Sequence, residues 1–150
     1  MAEQQVKIKN KKAYFSFEII DKYMAGIQLL GTEIKSIKGG KASLTEAYCA
    51  FYEGELYIRN MNISEYENRG YMNHETRRER KLLLNRKELA KLEKKTKEKG
   101  FSIIPLVLFI NSKGLAKIDI ALARGKREFD KRNDIKDRDS KRDLARMKKM

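Results

Sequence analysis

The sequence has few of the residues that could cross-link a fold or hold a metal. Its 150 residues include one cysteine, one histidine and no tryptophan. A single cysteine cannot form an internal disulfide, and one cysteine with one histidine do not make up the set of about four ligands that a structural zinc site needs. Cys49 lies in an apolar stretch, so we expect a reduced core residue. The sequence therefore predicts no disulfide, no metal and no cofactor.

Long apolar segments are also missing. No run of about 18 apolar residues occurs, and residues 1–10 are polar and mixed in charge rather than basic and then apolar. The sequence predicts neither a membrane-spanning helix nor a secretion leader. We expect a soluble, cytoplasmic protein.

Positive charge is the property that the chain has in excess, and it is unevenly placed. The formal net charge is +14, yet residues 1–76 contain ten basic and ten acidic side chains. The excess lies mainly in residues 77–99, with eleven basic against four acidic residues, and in residues 125–150, with eleven against six. Such a surface attracts any polyanion. A membrane-surface helix would also need a broad apolar face, which the second block lacks, so RNA or DNA is the favoured partner.

The pattern of apolar residues predicts several short strands and two helices. Thr32 can cap a short helix that Gly39 and Gly40 end, and Asn85 can cap a longer one that Gly100 closes. Pro105 lies within an apolar run and predicts a bulge or an edge position there. The predicted strands are residues 14–21, 26–30, 47–52, 56–61, 101–110 and 116–122.

Six short strands with about two to three helices predict a mainly β fold, an OB-like closed antiparallel barrel. Residues 1–12 would be an N-terminal extension, residues 13–124 the barrel domain and residues 125–150 a basic C-terminal tail. The tail has too little apolar surface to fold by itself, although acidic residues four positions before basic ones favour a helix. We expect it to be disordered when free and helical on a partner.

Residues that could form a catalytic site are scarce. His74 has no second histidine, and no glycine-rich phosphate loop is present. A metal-dependent nuclease that uses Asp21, Glu33 and Asp119 is the enzyme alternative that the sequence leaves open. Because scattered carboxylates are usually ordinary surface residues, we expect a binding protein rather than an enzyme.

Residues that could bind RNA are more numerous than catalytic candidates, and they lie beside a predicted surface loop at residues 64–76. Arginine pairs bidentately with phosphate, and His74 and Tyr71 could stack on unpaired bases. The basic cluster that follows the loop consists of Arg77, Arg78, Arg80 and Lys81.

The order of several motifs resembles one known family. Residues 31–37 (GTEIKSI) and 40–44 (GKASL) resemble the signature of the SsrA-binding protein, or small protein B, family. Later motifs resemble that family in the same order: His74, then RERKLLL (78–84), LARGK (122–126), DKR (130–132) and IKDRD (135–139).

The resemblance implies an OB-like bacterial factor for ribosome rescue by trans-translation. Members of the family bind tmRNA (SsrA RNA), whose tRNA-like half lacks an anticodon arm, and the protein substitutes for that arm. Elongation factor Tu and alanyl-tRNA synthetase are then indirect partners, through tmRNA. The tail enters the empty mRNA channel of a stalled ribosome, beside the 16S rRNA decoding centre, and becomes helical there. Neither a membrane nor DNA is an expected partner.

The resemblance also implies site residues, position by position. Leu83 would act by apolar packing and the others mainly by charge. The RNA-binding candidates that it implies are Lys35, Lys41, His74, Arg77, Arg78, Arg80, Lys81, Leu83, Lys117, Arg124 and Lys126, to which we add Lys38, the neighbour of Lys35 on the outer side of the first predicted helix. The ribosome-binding candidates that it implies in the tail are Asp130, Lys131, Arg132, Ile135, Lys136 and Arg138. Phe129, where relatives may have histidine, is a further tail candidate because it could stack on a base. A structural ribosomal or assembly protein with a similar barrel and arm is the alternative binding function.

Overall fold

The computed structural model describes residues 6–66, 73–98 and 100–126. The predicted tail lies outside these residues from position 127 onwards, as does Tyr71. Its first residue, Gly125, is the last residue of a strand. The helices of the described part are α1 (Lys11–Ser16), α2 (Gly31–Lys38) and α3 (Arg86–Thr96). Its strands are β1 (Lys7–Lys9), β2 (Phe17–Ile27), β3 (Ala42–Ser43), β4 (Tyr48–Tyr52), β5 (Glu55–Arg59), β6 (Asn62–Ile63), β7 (Arg80–Leu83), β8 (Phe101–Ile110) and β9 (Ala116–Gly125).

Six strands form a closed antiparallel ring. Their order is β8-β4-β5-β7-β2-β9, and the pairing of β9 with β8 closes the sheet on itself. The inside holds a core in which Ile58, Leu82, Ile118 and Ile120 are completely buried. The predicted mainly β, OB-like closed sheet of six strands is thus confirmed.

Two of the six strands differ from the prediction. Residues 14–30 form α1 and then the single long strand β2, because a few alternating residues before position 17 are too short a pattern to separate a strand from one helical turn. α1 buries Ala13 against a second, small core on the outside of the ring, formed with Ile104, Leu106 and Ala121. The sixth strand is instead β7, which lies within the segment predicted as a basic RNA-binding cluster.

The N-terminal segment takes part in the sheet. β1 pairs with the second half of β8, with Ile8 opposite Leu108. Asn10 then donates its backbone N–H to the carbonyl of Leu106 at 2.8 Å. The ordered sheet therefore begins at Lys7, inside the segment predicted as an extension.

Most predicted turns and caps are confirmed. Gly39 and Gly40 end α2, and Gly40 has the positive φ of 75° that glycine adopts without strain. Asn85 accepts a hydrogen bond from the backbone of Glu88 at 2.8 Å. The register of β8 against β9 shifts next to Pro105, as the predicted bulge requires.

Two details of the helix ends differ. α2 begins at Gly31, and the side chain of Glu33, not that of Thr32, accepts the backbone N–H at the start of the helix, from Leu30 at 2.8 Å. α3 ends at Thr96, so Gly100, with φ of 92°, belongs to the connection that follows. None of the helices in the described ranges is long and apolar enough to cross a membrane.

Candidate RNA-binding surface

A buried carboxylate lies at the centre of the region that links α2 to β7. Glu33 is fully buried on α2 and accepts hydrogen bonds from three donors. Arg78 donates its Nη2 at 2.6 Å, Leu30 donates its backbone N–H at 2.8 Å, and Arg80 donates its Nε to the second carboxylate oxygen. Both oxygens are therefore satisfied, and the charge is balanced by two guanidinium groups.

Arg80 is also fully buried, and its remaining donors bind backbone carbonyls. Nη1 donates to the carbonyl of Met61 at 2.7 Å, just before β6, and Nη2 donates to that of Thr76 at 3.2 Å. The guanidinium of Arg80 thus joins α2, β6 and the chain before β7. A buried charge of this kind is tolerated because it is paired and hydrogen-bonded.

The environment of this ion pair shifts both pKa values downwards. Burial raises the pKa of Glu33, but hydrogen bonds from Arg78, Leu30 and Arg80, with the charge of Arg80, outweigh burial and bring it below the ordinary value. Burial lowers the pKa of Arg80, and the contact with Glu33 opposes that change. Arginine remains protonated at any physiological pH, so the pair stays ionised.

His74 forms a second buried link between the same segments. Its Nε2 lies 2.8 Å from the carbonyl oxygen of Ile63, which can only accept, so Nε2 carries the proton. Its Nδ1 lies 2.9 Å from the hydroxyl of Thr32. In the neutral tautomer this hydroxyl donates to Nδ1, and His74 joins the start of α2 to β6.

Two of the RNA-binding candidates are buried by these contacts. His74 and Arg80 are only 4% and 0% exposed, so neither side chain offers a surface to a base or a phosphate. They hold α2, β6 and β7 together from the inside. Motif spacing alone could not separate this structural role from RNA contact, because a buried arginine and an exposed one look alike in sequence.

The three carboxylates of the nuclease alternative lie on different elements of the described chain. Glu33, on α2, forms ion pairs with Arg78 and Arg80, whereas Asp21 lies on β2 and Asp119 on β9. No group of three or more His, Cys, Asp or Glu side chains in the described ranges could hold a metal ion.

Two of the accessible candidates, Lys35 and Lys41, line a small pocket beside α2. Lys35, Lys38, Lys41 and Arg77 are exposed, and Arg78 keeps a third of its side chain accessible while it binds Glu33. The pocket has a volume of about 170 Å³ and is lined by Lys35, Ser36, Gly39, Lys41, Glu65 and Tyr66.

Tyr66 is a residue of this surface that the sequence did not single out. The Nζ of Lys35 lies 5.2 Å from the centre of the Tyr66 ring, within the range of a cation–π contact. The ring's position in a polar loop, shortly after a strand, is the one sequence signal that could have pointed to it.

A second group of candidates lies on the outer face of β7, β2 and β9. Gly26 is paired with Leu83 on one side and with Lys117 on the other, so the two side chains flank the same glycine. A Cβ at position 26 would lie 3.3 Å from that of Leu83, so the glycine leaves room for this half-exposed leucine. Lys81, nearby on β7, contacts Glu55 at 3.5 Å.

The last two described candidates lie near the end of β9. Arg124 pairs with Glu18 at 2.7 Å, and Lys126 donates from Nζ to the carbonyl of Tyr14 at 3.0 Å. These two contacts are made to the start of β2 and to α1. The tail candidates, Phe129 to Arg138, lie outside the described residues.

A small closed β sheet with exposed lysines, a partly exposed tyrosine and an exposed leucine is typical of the OB-like class of proteins, many of which bind nucleic acids. Comparison with known proteins specifies the family. The family model described as SmpB protein matches residues 7–150. The chain belongs to this family.

Curated relatives and a solved structure support the same family assignment. The SsrA-binding protein of Phocaeicola vulgatus is 56% identical, and that of Bacteroides thetaiotaomicron 55% identical, over 98% of both chains in each comparison. A solved structure described as "tmRNA-SmpB: a journey to the center of the bacterial ribosome" superposes with a TM-score of 0.70. It is 42% identical, over 82% of this chain and 86% of the other.

Proposed function

We propose that this chain binds tmRNA (SsrA RNA) and acts in trans-translation on stalled bacterial ribosomes. The observation that carries the proposal is the match to the SmpB family from residue 7 to the last residue, together with relatives of the same length named SsrA-binding protein. The fold and the exposed cations are consistent with such a role. The activity is that of a non-enzymatic adaptor that works where ribosomes work, in the cytoplasm.

In the proposed mechanism, the protein takes the place of the anticodon arm that tmRNA lacks. The barrel binds the tRNA-like part of tmRNA through phosphates and exposed bases, and fills the space of the missing arm. The tail, residues 125–150, folds as a helix in the empty mRNA channel. Alanyl-tRNA synthetase and elongation factor Tu act on the tmRNA that the protein carries.

Within the barrel, we assign direct RNA contact to the candidates that are exposed or partly exposed. Lysine and arginine neutralise phosphates, and the leucine packs on a sugar or base. Glu33, His74 and Arg80 are positioning residues that fix α2 against β7. The direct contacts are Lys35, Lys38, Lys41, Arg77, Arg78, Lys81, Leu83, Lys117, Arg124 and Lys126.

The salt dependence of tmRNA binding tests this assignment. Each lost phosphate contact should reduce the slope of log affinity against log salt by about one unit. We expect the double variant Lys35→Ala, Lys41→Ala to lower both affinity and slope, by up to about two units. Lys113→Ala, an exposed lysine in the turn between β8 and β9, is the matched control and should change neither. Equal slopes for both variants would contradict the assignment.

The division between barrel and tail is tested by deletion of residues 127–150. We expect the shortened chain to bind free tmRNA with nearly unchanged affinity and to fail in peptide tagging of a nonstop reporter, in cells that lack their own factor. The full chain should restore tagging. Recovery of ribosomal RNA without tmRNA in a pull-down from native lysate would refute the proposed function itself.

A further inference from the structure

The pocket beside α2 is built from three short pieces of chain. Ser36 and Gly39 come from the end of α2, Lys41 from the approach to β3, and Glu65 with Tyr66 from the segment after β6. Its volume of about 170 Å³ is large enough for one planar heterocycle.

Hydrogen bonds hold the walls of the pocket in place. Ser64 donates its backbone N–H to the carbonyl of Lys41 at 3.0 Å, next to the pairing of β3 with β6. Asn73 holds the backbone of Tyr66 from both sides, accepting its N–H at 2.7 Å and donating to its carbonyl at 3.0 Å. A site that is organised before binding loses less entropy when a ligand enters.

The lining side chains match the parts of a nucleotide. The Tyr66 ring offers an aromatic face for stacking, and Lys35 and Lys41 supply positive charge for a phosphate. Ser36 is 3% exposed, and its hydroxyl makes no hydrogen bond within the described part of the chain. A buried hydroxyl without a partner is uncommon.

Glu65 indicates which base fits. A carboxylate only accepts hydrogen bonds. Guanine presents two neighbouring N–H donors on its Watson–Crick edge, whereas adenine and cytosine present a single amino group there and uracil a single imino group. One carboxylate can therefore bind guanine with two parallel hydrogen bonds.

We propose that this pocket binds one unpaired guanine nucleotide of the RNA. The base stacks on Tyr66, its Watson–Crick edge donates to Glu65, and a phosphate lies beside Lys35 and Lys41. The inference rests on the proposed function only in that the natural RNA is tmRNA. The base preference belongs to the pocket itself and can be measured without that RNA.

NMR titration of the full chain with GMP, AMP, CMP and UMP measures the preference directly. GMP should shift the amide signals of the pocket residues at the lowest concentration. Glu65→Ala should remove the preference for GMP, because it removes the carboxylate that accepts both donors of guanine. Equal responses to the four nucleotides, or responses away from the pocket, would overturn the proposal.

Affinity for tmRNA provides the second readout. Tyr66→Ala should lower it at least about fivefold, the effect of losing one stacked base, and Tyr66→Phe should retain it. Tyr52→Ala, which removes an exposed tyrosine from β4, is the matched control. Wild-type binding with no loss in Tyr66→Ala would reject the pocket and leave the proposed function standing. A wild-type chain that does not bind tmRNA would refute the proposed function, while the nucleotide titration would still decide the pocket.

Discussion

Replacing Glu33 by glutamine should destabilise the protein far more than removing any exposed charge. The substitution keeps the shape and one acceptor oxygen but leaves Arg80 fully buried without its counter-charge. Breaking a buried ion pair by removing one partner costs about 3 to 5 kcal/mol. Since the glutamine oxygen still accepts one hydrogen bond, we expect the lower end, about 3 kcal/mol.

Urea denaturation followed by far-ultraviolet circular dichroism measures this loss. With a slope of about 2 kcal/mol per molar urea, the midpoint of Glu33→Gln should fall by about 1.5 M. The matched control is Glu79→Gln, which breaks the exposed pair of Glu79 with Arg59 and should cost less than about 1 kcal/mol. A double-mutant cycle with Arg80→Met should show a coupling energy of about 2 kcal/mol.

The pH dependence gives an independent check with a definite sign. The pKa of Glu33 is lower in the folded state than in the unfolded chain. Its charge therefore contributes its full stabilisation at pH values above the pKa of a free glutamate, about 4.3. It is lost as the pH falls through the lower pKa of the folded state. The difference between the wild type and Glu33→Gln should therefore shrink below about pH 4. A midpoint for Glu33→Gln no lower than that of Glu79→Gln at pH 7 would refute the reasoning.

Three further predictions concern single contacts. Thr32→Val removes the hydroxyl that bonds Nδ1 of buried His74 and should lower the free energy of unfolding by about 1 to 3 kcal/mol, whereas Thr45→Val, at an exposed site, should have little effect in the same urea assay. Asn85→Ala removes the cap of α3 and should cost about 1 kcal/mol, which Asn85→Asp should largely restore. Cys49 is buried, and burial raises the pKa of its thiol. Iodoacetamide at pH 8 should therefore alkylate it slowly in the folded chain and rapidly in urea. Equal rates would show that the core around Cys49 is accessible in the folded chain.

The parts of the fold that could be predicted are those set by local chemistry. Asn85 with Glu88 marks the start of α3 because a capping side chain acts over three residues, and the turn at residues 53–54 joins β4 to β5. Pro105 lacks an amide donor, so a bulge beside it follows from its own structure. Each of these signals needs no knowledge of the rest of the chain.

The parts that could not be predicted depend on contacts between distant residues. β7 is short and basic, and it forms a strand because its alternate residues, Arg80 and Leu82, point into the ring. Arg80 can do so only because Glu33, 47 residues earlier, meets it there. The secondary-structure propensity of residues 80–83 does not reveal the ion pair between Arg80 and Glu33. The sequence of this segment therefore predicts an exposed basic cluster.

The same pairing explains why two sequence motifs occur together. Glu33 belongs to the motif at residues 31–37, and Arg78 and Arg80 to the motif at residues 78–84, and the structure joins the two motifs by direct ion pairs. Their charged residues are thus required in part by the fold, so a count of basic residues overstates the surface that faces RNA. Arg78 is the exception, because it binds Glu33 and remains a third accessible. Its guanidinium therefore links the buried ion pair to the surface.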